Sequence, residues 1–107
     1  MGPDERARFE MREGEDEDGV VRLSLTGELD MQGANQLRAR VEELRSAGVG
    51  LRLDLSWLEF IDSSGLNALI VTAHSARSNG WRLEVDRSVQ PQVERVIELV
   101  GASAYLW

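Results

Sequence analysis

Apolar and polar residues alternate along four short stretches of the chain. Phe9 and Met11 share a face of RFEMR, and Val21, Leu23 and Leu25 share one of VRLSLT. Leu51, Leu53 and Leu55 do so in LRLDL, and Trp81, Leu83 and Val85 in WRLEV. Side chains of a strand point to opposite faces in turn, so this period of two predicts four strands with one buried face each. Strands covered on both sides read as continuous apolar runs. These do not, so the sheet is expected to carry its cover on one face only.

Helical spacing fills the intervals. Ala34, Leu37, Val41 and Leu44 form one stripe, with Asp30 placed to cap it and Gly48 to stop it. Leu66, Leu69, Ile70 and Ala73 form a second, ended by Asn79 and Gly80. Val93, Val96, Ile97 and Val100 form a third, with Ser88 as the expected cap and Gly101 as the stop, ahead of a short tail SAYLW. EGEDEDG between the first two strands suits a hairpin, whereas the later strands are joined through helices and are expected to run parallel. No repeat or internal boundary interrupts the pattern. The fold class read from it is α/β: a single domain over residues 1–107, built as a mixed β-sheet with an N-terminal hairpin and helices packed on one face. Residues 1–6 are expected to be a flexible N-terminus.

The chain's 107 residues suit one compact core. A net charge of −7 argues against nucleic acid and anionic membranes as partners. With no cysteine, disulfides, thiolate catalysis and cysteine-bound metals are excluded. The first residues, MGPDERARFE, lack the apolar core of a secretory signal, and Arg6 stands where a myristoylation motif requires Ser or Thr. The longest apolar run, Leu69 to Val71, is too short to span a bilayer. A cytoplasmic location is the expectation.

Three chemistries do not fit the residues present. With Gly19 as the turn glycine of a calcium loop, Gly14 and Leu25 would fall at the first and last ligand positions, and neither side chain coordinates a metal. A serine hydrolase needs glycines around the nucleophile that Phe60, Ile61 and Asp62 replace. The only histidine, His74, lies ten residues beyond Ser64 on the same expected helix. That is roughly 15 Å of rise, well beyond a hydrogen bond of about 3 Å. DSSGL carries one glycine and no following lysine, unlike a phosphate-cradling loop. No cofactor, metal site or enzymatic activity is expected. Trp57 stands apart: it follows LRLDL outside any clear periodicity and close in sequence to Ser63 and Ser64, which makes it a candidate contact residue.

LTGELD at 25–30 and LDLSWLEFIDSSGLNAL at 53–69 resemble the STAS domain family, and within it the bacterial anti-sigma factor antagonists. FIDSSGL is the most specific element and GELD a weaker second anchor. The resemblance implies a mixed sheet with helices on one face and a partner-switching mechanism. The unphosphorylated antagonist binds an anti-sigma factor serine kinase and so releases a sigma factor. Phosphorylation of the antagonist on a serine ends the capture, and a metal-dependent serine phosphatase resets it. Carried onto this sequence, the acceptor is Ser64, with Ser63 as the alternative, and Asp62, Gly65 and Asp30 are its neighbours. Asn67 and Trp57 occupy positions where smaller residues are frequent in the family, so both are candidates for partner choice. A helix N-terminus tolerates the added charge of about −1.5 to −2, and Ser64 is expected to double as a near-cap there. The rival implication is a scaffold piece or transporter accessory in which the serines are only caps.

Overall fold

A computed structural model describes residues 8–107; the flexible N-terminus expected for residues 1–6 lies outside them. Strands β1 (Glu10–Glu15), β2 (Val21–Leu29), β3 (Leu51–Ile61) and β4 (Leu83–Val85) form one sheet in the order β1-β2-β3-β4. The β1–β2 pair is antiparallel, and the β2–β3 and β3–β4 pairs are parallel. Helices α1 (Met31–Ser46) and α2 (Ser63–Asn79) supply the crossovers, followed by α3 (Pro91–Leu99) and a last turn, α4 (Ser103–Leu106). The expected hairpin, parallel crossovers and mixed sheet are all present.

One apolar cluster holds these elements together. Leu23, Leu25 and Leu29 of β2 and Leu51, Leu53, Leu55, Leu58 and Ile61 of β3 meet Leu37, Val41 and Leu44 of α1, Leu66 and Leu69 of α2, and Val93 and Ile97 of α3. The tail does not project. Leu106 is buried, and the Trp107 indole N–H donates to the Val85 carbonyl at 2.9 Å. Arg87 lies over the Trp107 ring.

Two details depart from expectation. Ser88 does not cap α3: its own amide donates to Asp86, and the helix starts two residues after Gln90's predecessor, at Pro91. Proline suits a first helical position because its missing N–H would have no partner there. WRLEV also contributes only three residues of strand. Beyond β4 the edge of β3 is covered instead by α3, whose Gln90 and Gln92 amides donate to the Ser56 and Glu59 carbonyls at 2.9 and 3.2 Å.

The irregularity that lost Trp57 its periodicity is in β3. Ser24 pairs with Asp54 but Thr26 with Trp57, and Gly27 pairs with Leu58 but Glu28 with Phe60. Each shift places an extra residue in β3, the signature of a β-bulge. The buried positions accordingly run Leu51, Leu53, Leu55, then Leu58 and Ile61. Opposite the first bulge, Gly27 (φ 82°) lies under the Arg8 backbone, where a β-carbon would come 2.6 Å from the Arg8 carbonyl carbon. That accounts for the glycine of GELD.

Candidate functional site

The second and third strands end in the same way. Each runs into Asp-x-x-Gly, as DMQG at 30–33 and DSSG at 62–65. Asp30 accepts the Gly33 amide at 3.0 Å and Asp62 accepts the Gly65 amide at 2.9 Å, so each carboxylate caps its own helix. Both glycines are buried, Gly33 against the Phe9 ring and Gly65 against Leu29. The Asp62 amide donates back to the Leu29 carbonyl at 3.2 Å, which ties the start of α2 to the end of β2.

This corrects the expectation that Ser64 is a near-cap. Asp62 is the cap, and Ser63 and Ser64 are the first two residues of the helix. Neither hydroxyl makes a hydrogen bond to any described residue. Ser63 is exposed and Ser64 half-buried, and both residues line an open groove between the first turns of α1 and α2. Its other walls are Met31, Asn35, Arg38 and Asn67. Of the residues named from the motif, Asp62 and Gly65 form the start of the helix that carries Ser64, Asp30 caps the neighbouring helix, and Asn67 shares the groove.

Met31, Asn35 and Arg38 were missed in the sequence. The signal was available: they recur at helical spacing one stripe away from the buried Ala34, Leu37 and Val41. Met31 is 63% exposed, unusual for so apolar a side chain. Arg38 donates to Asn35 at 3.0 Å. The groove continues down the two helices past Val71, Thr72 and Ser75.

Trp57 belongs to a different surface. The bulge turns it onto the open face of the sheet, 64% exposed, in a depression with Glu10, Arg12, Ser24 and Thr26. Phe60, 49% exposed, stands between it and the serines in sequence. On the same open face Asp54 is 5% exposed and fully partnered. It accepts the Ser56 hydroxyl at 2.6 Å, the Ser56 amide at 3.0 Å, and Arg22 and Ser24 at 3.3 Å each. Burial alone would raise its pKa, but these donors prevail and hold it below the usual aspartate value. The acidic hairpin joins this array, with Asp16 pairing Arg52 at 2.7 Å and Arg22 at 3.6 Å. His74 is exposed on α2. No helix among the described residues is long and apolar enough to cross a membrane.

The family description "Mlab, STAS domain" matches residues 13–106. The chain belongs to the STAS domain family. Among curated proteins, it is 25% identical over 81 residues to the anti-sigma-B factor antagonist of Bacillus subtilis (strain 168), spanning 76% of this chain and 73% of that protein. Among solved structures, an anti-sigma factor antagonist from Mycobacterium paratuberculosis superposes with a TM-score of 0.73 at 30% identity, covering 91% of this chain and 81% of the other. The unphosphorylated form of the anti-sigma factor antagonist SpoIIAA gives a TM-score of 0.72 at 22% identity, over 94% of this chain and 86% of the other. The phosphorylated form of SpoIIAA, a Bacillus cell fate determinant, gives 0.68 at 20% identity, over 94% and 89%. At those identities the two SpoIIAA forms speak for the fold.

Proposed function

We propose that this STAS domain is an anti-sigma factor antagonist that works by partner switching in the cytoplasm. Its unphosphorylated form binds an anti-sigma factor serine kinase, and that capture frees the sigma factor. Phosphorylation of Ser64 ends the capture. In that step the Ser64 oxygen takes the terminal phosphoryl group of ATP, ADP leaves, and the hydroxyl proton passes to a base on the kinase. A serine phosphatase restores the hydroxyl by hydrolysis.

The observation that carries this reading is the division of labour in DSSG. Asp62 performs the capping, so the Ser64 hydroxyl is not needed by the helix and lies at a groove open to solvent. A serine retained only as a cap would have its oxygen on a first-turn amide. The names of the relatives support the same class of function, since an antagonist acts by binding another protein. Occurrence of one fold in both unphosphorylated and phosphorylated SpoIIAA is consistent with a switch that changes a surface and leaves the fold intact.

The test is incubation with a candidate anti-sigma factor kinase and ATP, followed by intact-mass and phosphopeptide measurement. One phosphate on Ser64, with loss of the complex, is the expected result. Phosphate on Ser63 would move the acceptor by one residue. A stable complex with no phosphorylation would favour the constitutive scaffold or transporter-accessory role.

A further inference from the structure

The groove between α1 and α2 is flanked by negative charge before anything is added to it. Asp30 and Asp62 stand at the two helix starts, and each carboxylate is already engaged by its own helix amide. A phosphate on Ser64 would place a near-dianion beside them, on a chain whose net charge is −7. Of the residues that line the groove at the first turns of the two helices, Arg38 alone is cationic.

Arg38 is also unspent. Arg40 is held by Glu13 and Glu43, Arg45 by Glu42, Arg22 by Asp16 and Asp54, and Arg52 by Asp16 and Glu84. Arg38, by contrast, has no carboxylate partner among the described residues. One nitrogen, Nη1, donates to the neutral amide oxygen of Asn35, one turn away on the same stripe of α1. The other guanidinium nitrogens have no partner among the described residues, and Arg38 lines the same groove as Ser63 and Ser64. A guanidinium fork matches phosphate oxygens two at a time.

We propose that Arg38 is the internal counter-ion of the phosphorylated state: it reaches across the groove from α1 and pairs with the phosphate on Ser64. Asn35 is its positioning residue. The groove then presents an intramolecular ion pair in place of a hydroxyl and a free guanidinium. Phosphorylation therefore alters both helices of the surface, although only α2 is modified. This rests on Ser64 being the acceptor, as proposed above.

The experiment installs phosphoserine at position 64 during translation, so that no kinase is involved, and follows the phosphate by phosphorus NMR as pH is varied. A neighbouring guanidinium favours the dianion and lowers the second phosphate pKa, ordinarily near 6. Arg38→Gln should raise the titration midpoint by about one unit, with Arg38→Lys in between. Arg95→Gln, an exposed charge removed from α3, should leave it in place. Melting curves of the unphosphorylated variants should coincide, since Arg38 is exposed. An unchanged midpoint in Arg38→Gln overturns the proposal, as does an equal shift in Arg95→Gln, which would mean a general charge effect. Neither result bears on whether a kinase selects Ser64, which the mapping experiment decides separately.

Discussion

Gly65 lies directly against Leu29: a β-carbon at position 65 would come 2.6 Å from the Leu29 Cγ and closer still to the Leu29 carbonyl oxygen. A backbone oxygen does not swing aside as a flexible side chain does, so the strain must spread into α2 or β2. Gly65→Ala should cost about 2–3 kcal/mol, at the upper end for an overpacked core. Urea unfolding measures it. A loss below about 0.5 kcal/mol would mean that the helix start shifts freely, and the fixed geometry around Ser64 would be in doubt.

The cap and the acceptor should separate by stability alone. Asp62→Ala removes the acceptor of the Gly65 amide and should cost about 1 kcal/mol, and Asp30→Ala the same at Gly33. Ser64→Ala should change stability by less than about 0.5 kcal/mol, as for a surface position without a special contact. Equal losses at Asp62 and Ser64 in thermal melts would return Ser64 to a capping role.

At the interface the order of Ser64 variants matters more than their stability. Ser64→Ala keeps the groove neutral and should bind the kinase persistently in the presence of ATP. Ser64→Asp places a charge against a surface matched to a hydroxyl and should weaken binding by about 2–3 kcal/mol. Calorimetry with ADP or ATP present reads both. Tight binding by Ser64→Asp and by the phosphorylated chain alike would end the partner-switch account.

Trp57 tests how far the partner reaches. It lies on the open sheet face and shares no lining residue with the serine groove. Trp57→Ala should leave the unfolding midpoint nearly unaltered and weaken partner binding by roughly 2 kcal/mol or more. Unchanged affinity would confine the footprint to the helices.

Asp54 gives the open face a pH signature. Its folded pKa is depressed, so its contribution to stability is complete above the unfolded aspartate value of about 4 and is lost as pH falls through the lower folded value. Asp54→Asn should therefore cost about 1–3 kcal/mol at pH 7. The difference from the wild type should shrink below about pH 4. Urea midpoints across that range would show it, and a constant difference would contradict the linkage.

The strands and the first two helices were legible because burial imposes a period, and Leu23, Leu37 and Leu69 each fall on one. Asp30 was legible as a cap from its place before a helical stripe. What escaped depends on contacts between segments distant in sequence. The parity of Trp57 is set by how β3 registers against β2, which no local pattern in β3 encodes. The start of α3 at Pro91 competed with a serine of better capping type at Ser88, which the chain spends on a turn. Arg38 looked like any charged residue of an exposed face, because its place in the groove depends on the helix packed opposite. The motif pointed to Ser64, but only the hydrogen bond from Gly65 to Asp62 showed that the cap is Asp62 and not the serine.

The bulge that turns Trp57 outward also gives the protein an optical handle. The other two indoles, Trp81 and Trp107, are half-buried and each donates its N–H to a backbone carbonyl, of Val49 and Val85 respectively. Trp57 is the indole left in water. Its emission should lie at longer wavelength than theirs and be the most readily quenched by a small collider such as acrylamide. A partner that covers the open sheet face would then announce itself as a blue shift and a loss of quenching in the unlabelled protein, while one seated only at the first turns of α1 and α2, beside Ser63 and Ser64, would leave the spectrum dark to its arrival.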